Sequence, residues 1–152
     1  MSDKTWINIV YTGLIYQNKE NPSLLFQAIS ELRKDGKIGE DYVCVDIYGD
    51  KMGWIDKEIA KYGLQGIVVQ HGKVSKEEAI LKQREARILW LMRWEDDKED
   101  VIPGKSFEYM AARRPIMITG GHDDEITMIL RETHLAVVCD SVEAIKQELL
   151  TI

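Results

Sequence analysis

The chain has 152 residues, of which 45% are hydrophobic and 30% charged, and 20 Lys plus Arg stand against 26 Asp plus Glu for a net charge of −6. This is the composition of a globular domain of ordinary size, with a core large enough to need neither disulfide nor metal. The acidic balance and the lack of a basic stripe exclude nucleic acid as the main partner, and apolar runs such as Ile88-Leu89-Trp90-Leu91-Met92 fall far short of the roughly 20 residues of a transmembrane segment.

In chain order, residues 7–11 read as a first strand ending at Gly13. Asn21 supplies an N-cap and Pro22 a first helical residue. Leu24, Leu25, Ala28, Ile29 and Leu32 follow at helical spacing as one apolar face. Asp35-Gly36 and Gly39 close that helix, and residues 43–48 make a second strand ended by Gly49. A helix is predicted over 52–62, stopped by Gly63, and then a short third strand over 67–69. Ser75, with Glu78 three positions on, is a capping box that opens a helix to about Glu85. Residues 88–92 are apolar on both faces, as in a buried parallel strand.

Beyond the acidic loop 95–100, Pro103-Gly104 opens a helix that ends near Arg113-Arg114. Phe107, Met110 and Ala111 sit in it at i, i+3 and i+4 and are expected to face the core. Pro115 breaks the helix, residues 116–119 form a fifth strand, and Gly120-Gly121 turns into a helix over 125–133. Residues 135–139 are a sixth strand, and Asp140 with Glu143 is expected to cap the final helix. Six strands, each followed by a helix, predict an α/β fold: a doubly wound, parallel, six-stranded Rossmann-like sheet with right-handed crossovers and helices on both faces. Residues 1–152 form one such domain, without linker or internal repeat.

Cys44 and Cys139 both lie in strands and read as buried free thiols of a reducing, cytoplasmic setting. His71, His122 and His134 are scattered, and no His-Glu-x-x-His or paired Cys-x-x-Cys occurs, so no metal is expected. In doubly wound sheets ligands bind outside the carboxyl ends of the strands, which directs attention to loops 13–19, 49–53, 71–75, 94–105 and 120–125. Neither Gly-x-Gly-x-x-Gly after the first strand nor Gly-x-x-x-x-Gly-Lys-Ser/Thr is present, which argues against redox dinucleotides and P-loop hydrolysis. A phosphorelay receiver would need an acidic cluster where the chain has Tyr11-Thr12-Gly13.

The helix start at 103–108 is the most informative segment. Backbone N–H groups around Gly104 are placed to meet a phosphate, with Lys105 adding charge. Glu108, four residues after Gly104, is placed to accept hydrogen bonds from a vicinal diol such as ribose. The plainer reading is a solvated first-turn glutamate stabilised by the helix dipole. Lys19 is open to the same choice between solvation and ligand binding. Trp90 reads as core, Trp94 as either packing or cleft lining, and His71 as a surface residue.

The run Pro-Gly-Lys-x-Phe-Glu-Tyr-x-Ala-Ala-x-Arg-Pro-Ile at 103–116 resembles the donor-binding helix of family 4 of the retaining glycosyltransferases, enzymes of the two-domain GT-B fold. The resemblance extends over nearly the whole chain. Tyr11-Thr12-Gly13 with Lys19 is similar to the family's opening strand and loop, and His71-Gly72-Lys73-Val74-Ser75 to its base-binding loop. It implies a donor site in which Lys19, Val74, Gly104, Lys105 and Glu108 bind a UDP-, GDP- or other NDP-sugar, with Glu108 on the ribose. Asp100, eight positions before Glu108, stands where the family's first acidic residue contacts the sugar, and Leu14 stands where the family commonly has Arg. It further implies a metal-independent parent enzyme, without cofactor, in surface or capsular polysaccharide biosynthesis at the cytoplasmic membrane face. The N-terminal acceptor domain would lie outside this chain, leaving the isolated chain inactive. The alternative is a stand-alone nucleotide-binding or protein-interaction module of the same fold.

Overall fold

The computed structural model describes residues 7–94, 105–120 and 125–152. Six strands, β1 (Ile7–Thr12), β2 (Val43–Tyr48), β3 (Val68–Gln70), β4 (Ile88–Met92), β5 (Ile116–Thr119) and β6 (Ala136–Cys139), alternate with six helices. These are α1 (Ser23–Lys34), α2 (Gly53–Lys61), α3 (Lys76–Glu85), α4 (Lys105–Ala112), α5 (Glu125–Glu132) and α6 (Val142–Thr151). All five strand pairings are parallel, in the order β3-β2-β1-β4-β5-β6.

Side chains alternate across the sheet and build two separate cores. Ile7, Ile9 and Tyr11 of β1, with Ile88, Trp90 and Met92 of β4, pack on Leu25, Phe26 and Ile29 of α1, Ile55 of α2, and Ile145 and Leu149 of α6. The intervening Val10, Leu89, Leu91, Ile116 and Ile118 pack on the other face, against Tyr109 of α4 and Leu130. Every residue of β4 is buried, as its unbroken apolar run requires of a central parallel strand. The Trp90 indole N–H, in the middle of the first core, donates to Thr119 Oγ1 at 2.9 Å.

Local signals account for most boundaries. At α1 the cap falls on Pro22 and not on Asn21: the Pro22 carbonyl accepts from the Phe26 N–H at 3.2 Å, while Asn21 Oδ1 accepts from the Ser23 N–H at 3.1 Å just outside the helix. Ser75 Oγ accepts from the Glu78 N–H at 3.1 Å. The strand expected over 67–69 sits one residue later, at Val68–Gln70. The last helix is capped by Ser141 and not by Asp140: Ser141 is extended and its Oγ accepts from the Ala144 N–H at 3.1 Å. Neither cysteine forms a disulfide, but only Cys139 is fully buried; Cys44 is half-buried on the side of β2 that faces away from the first core.

Of the inward face expected for α4, Met110 packs against the second core but Phe107 and Ala111 do not. Phe107 is 57% exposed, Ala111 is exposed and Met110 only half-buried, whereas Ser106 and Tyr109 are fully buried. The helix is rotated so that the Tyr109 ring fills the second core while its hydroxyl reaches the end of β1 and accepts from the Thr12 N–H at 3.2 Å. Apolar spacing alone does not register a tyrosine that satisfies both demands. The start of this helix at Pro103-Gly104 lies outside the described residues.

Candidate functional site

Strand order fixes where a cleft opens. β1 and β4 are neighbours, yet α1 packs on one face of the sheet and α4 on the other. The chain therefore parts in opposite directions beyond the carboxyl ends of these strands, the place where doubly wound sheets bind ligands. A cavity of about 450 Å³ lies there. Its walls are Thr12, Gly13 and Leu14 at the end of β1, Tyr48, Gly49 and Asp50 at the end of β2, Lys73, Val74 and Ala79 around the start of α3, and Lys105 and Glu108 of α4.

The floor depends on two glycines in contact. Gly13 has φ +110°, a conformation L side chains rarely adopt. A Cβ added to Gly49 would lie 2.2 Å from the Gly13 carbonyl oxygen. The turns after β1 and β2 thus pass at backbone contact, and the Gly13 N–H closes the crossing with a 2.8 Å bond to the Tyr48 carbonyl. Below them, Thr12 is held by Tyr109 and by Gln83 of α3, whose Nε2 donates to Thr12 Oγ1 at 2.8 Å.

One wall carries an unusual cluster of buried polar groups. The Lys105 ammonium donates to the Tyr11 hydroxyl and lies 3.7 Å from the centre of its ring. Tyr11 also stands 3.3 Å from a carboxylate oxygen of Glu20, a residue only 6% exposed. Glu20 Oε1 accepts from the Tyr16 N–H at 2.8 Å, which folds the loop between β1 and α1 over the cluster. Burial pushes the Lys105 pKa down to about 8, with Glu20 and Glu108 pulling it back up. Burial raises the Glu20 pKa, opposed first by the charge of Lys105. Burial, then Glu20, holds the Tyr11 phenol well above its usual range.

Tyr48 brings an aromatic ring to the lining. Tyr48 stacks on His71 with ring centres 4.6 Å apart and planes 11° from parallel. His71 Nε2 lies 2.6 Å from Asp46 Oδ1. Among the described residues, no group of three or more His, Cys, Asp or Glu is arranged to hold a metal, and no helix is long and apolar enough to cross a membrane.

The sequence matches the glycosyl transferases group 1 family over residues 7–152, almost its full length. The chain belongs to that family. No curated protein matches it. Among solved structures it is similar to WaaG, a glycosyltransferase involved in lipopolysaccharide biosynthesis, with TM-score 0.72 and 13% identity over 99% of this chain and 39% of that one. It is also similar to a UDP-forming α,α-trehalose-phosphate synthase from Burkholderia vietnamiensis (TM-score 0.69, 9% identity, 94% of this chain and 36% of that one). A third likeness is to S. aureus MnaA, solved with UDP (TM-score 0.65, 11% identity, 95% and 36%). The chain therefore spans less than two fifths of each of these proteins and has the fold of one half of a GT-B enzyme.

Within this family domain, three of the residues singled out by sequence come together: Val74, Lys105 and Glu108 all line the cleft. Lys19 does not line it; its ammonium lies 5.0 Å from the ring centre of Trp94, which in turn packs on Tyr16 at 5.5 Å. Trp94, just after β4, thus packs against the loop between β1 and α1. Asp100 and Gly104 lie outside the described residues. His71 is a surface residue, yet it is fixed by Tyr48 and Asp46. Sequence reasoning missed Glu20 and Tyr11. Glu20 follows Lys19 in a polar loop and nothing local marks it for burial; Tyr11 looks like any aromatic in a strand.

Proposed function

We propose that this chain is the nucleotide-sugar-binding half of a retaining glycosyltransferase. The observation that carries the reading is the pairing of Lys105 and Glu108 on successive turns of α4 along one wall of a cleft at the topological switch point. Glu108 accepts hydrogen bonds from the ribose diol, and Lys105 with the backbone N–H groups around Gly104 meets the diphosphate. Val74 lies against the base, and Asp100 contacts the sugar, both by the family resemblance. Lys19 reaches the diphosphate from the loop between β1 and α1 once its contact with Trp94 is released. Transfer takes place against an N-terminal acceptor domain of the parent enzyme. The likeness to WaaG supports a parent that builds a surface or capsular polysaccharide from the cytoplasmic side.

Calorimetric titration of the chain with UDP, GDP and ADP, beside their nucleosides, tests this. One nucleoside diphosphate is expected to bind with a dissociation constant of about 0.1–1 mM, or roughly 4–5.5 kcal/mol, and more tightly than its nucleoside. Equal binding of nucleoside and diphosphate would sink the proposed phosphate site. One feature favours the second reading, a non-catalytic nucleotide-binding module: Leu14, 41% exposed, occupies the cleft wall where a basic side chain would strengthen the hold on phosphate.

A further inference from the structure

Glu20 is the one buried carboxylate among the described residues, and the donor site as drawn above gives it no task. A buried charge is costly unless a partner compensates it. Its compensation here comes from the charge of Lys105, from the Tyr16 N–H at 2.8 Å and from the Tyr11 hydroxyl at 3.3 Å, which also lies 3.0 Å from the Leu14 carbonyl and accepts from the Lys105 ammonium. Lys105 itself lies directly under the cleft floor: its Nζ is 3.3 Å from where a Cβ on Gly13 would stand. Tyr11 is fully buried and set edge-on to Trp90 at 5.7 Å. The three groups come from β1, the loop after it and α4, so they tie the two elements that part at the switch point.

We propose that Glu20 is a positioning residue for Lys105, holding its ammonium charged and aimed at the Gly13 turn through the Tyr11 hydroxyl, so that the cleft presents a fixed cation to the diphosphate of its ligand. The inference rests on the donor-binding reading. The groups facing Lys105 are Tyr11 from β1, Glu20 from the loop and Glu108 from its own helix, with Tyr48, Asp50 and Lys73 lining the same cleft. Only Glu20 and Glu108 raise the basicity of Lys105 against the burial that lowers it to about 8. Glu108 faces the ligand, which leaves Glu20 as the counter-charge on the protein side.

The test is Glu20→Gln, which keeps an acceptor for the Tyr16 N–H but removes the charge. In the free protein, the Lys105 titration followed by NMR of its side-chain carbon is expected to move down by about one pH unit. Binding of the best of UDP, GDP and ADP at pH 8 is then expected to weaken about fivefold, the loss in protonated Lys105 that such a shift entails. Binding of the matching nucleoside should change less than about twofold, and Glu20→Asp should restore much of the diphosphate affinity. In a Lys105→Met background, Glu20→Gln should have no further effect, because a positioning residue has nothing left to position. Tyr11→Phe, which keeps the buried ring and removes the bridging hydroxyl, is the second variant and should reproduce the selective loss.

An unmoved Lys105 titration would overturn the proposal. So would equal weakening of nucleoside and diphosphate, which would make Glu20 a scaffold of the loop alone, or an undiminished effect in the Lys105→Met background. A wild-type chain that prefers no diphosphate to its nucleoside would overturn the donor-binding reading and this inference with it. Those failures are distinguishable, since the first three appear only in the variants.

Discussion

The contact between Gly13 and Gly49 allows the link from backbone to binding to be broken at a single atom. In Gly49→Ala the new Cβ falls 2.2 Å from the Gly13 carbonyl oxygen and 2.9 Å from its carbon. Both are backbone atoms, so no side chain can swing aside, and the two turns must separate by roughly 1 Å to reach ordinary contact. Overpacking of this kind costs about 1–3 kcal/mol, which a domain of ordinary stability survives. The shift falls on Gly13, Leu14, Gly49 and Asp50, all of which line the cleft. Nucleoside diphosphate affinity should therefore drop at least about tenfold, or ~1.4 kcal/mol. Gly53→Ala is the control: nothing lies within 4 Å of its Cβ, and it sits at the start of α2, where alanine is tolerated. Urea denaturation measures the stability of each variant and calorimetry its affinity. A Gly49→Ala protein with wild-type stability and affinity would refute the reasoning.

Glu108→Ala should weaken nucleoside diphosphate binding by roughly 1.5–3 kcal/mol, as for a charged hydrogen bond, with circular dichroism unchanged; unchanged affinity would remove Glu108 from the site. Lys19→Ala and Lys105→Ala should each weaken the diphosphate more than the nucleoside in paired titrations, and parallel losses would place both lysines off the phosphate path. Because burial lowers Lys105 to about 8 in the folded chain, the unfolded chain binds more protons between pH 8 and the ordinary lysine range. Stability should therefore rise with pH across that window, and Lys105→Met should flatten the rise in urea titrations at stepped pH; a variant with the wild-type slope would exclude Lys105 as its source. The chain by itself should transfer no sugar from UDP- or GDP-sugars to any acceptor, since half a cleft neither excludes water nor places an acceptor; turnover in a radiolabel assay would show it to be complete.

What the sequence disclosed and what it withheld divide along the range of the interactions. Strand and helix periods, the Ser75 cap and the breaks at Gly63 and Pro115 act over a few residues, and from them the six-fold alternation and the parallel sheet could be read. The doubly wound topology then located the cleft before any side chain was placed. The rotation of α4 could not be read that way. Phe107 looks inward by apolar spacing, but Tyr109 wins the inward position because it fills the second core and meets the Thr12 N–H, 97 residues away in sequence. Glu20 was illegible for the same reason: its burial is created by Tyr11, Tyr16 and Lys105, of which Lys105 comes from the far side of the sheet. Ser141 displaced Asp140 as a cap by one residue, a choice both sequences of polar groups allow and only the strand end decides.

A net charge of −6 raises the question of how such a domain would hold an anion at all. The cleft lining itself is nearly balanced, with Lys73 and Lys105 against Asp50 and Glu108. On the donor-binding reading, discrimination comes from the order of the two charges on α4, Lys105 and Glu108, more than from the sum over the lining. Residues three apart on a helix lie about 5–6 Å from each other, so Lys105 and Glu108 offer a cation and an anion at a fixed spacing. A free phosphate meets the lysine but leaves the carboxylate beside it as a repulsive neighbour. A free nucleoside satisfies the carboxylate through its diol and leaves the lysine unused. Only a ligand carrying a diol and a phosphate at comparable spacing turns both into attractions. The negative background then becomes useful, because it disfavours every anion that does not bring the diol with it.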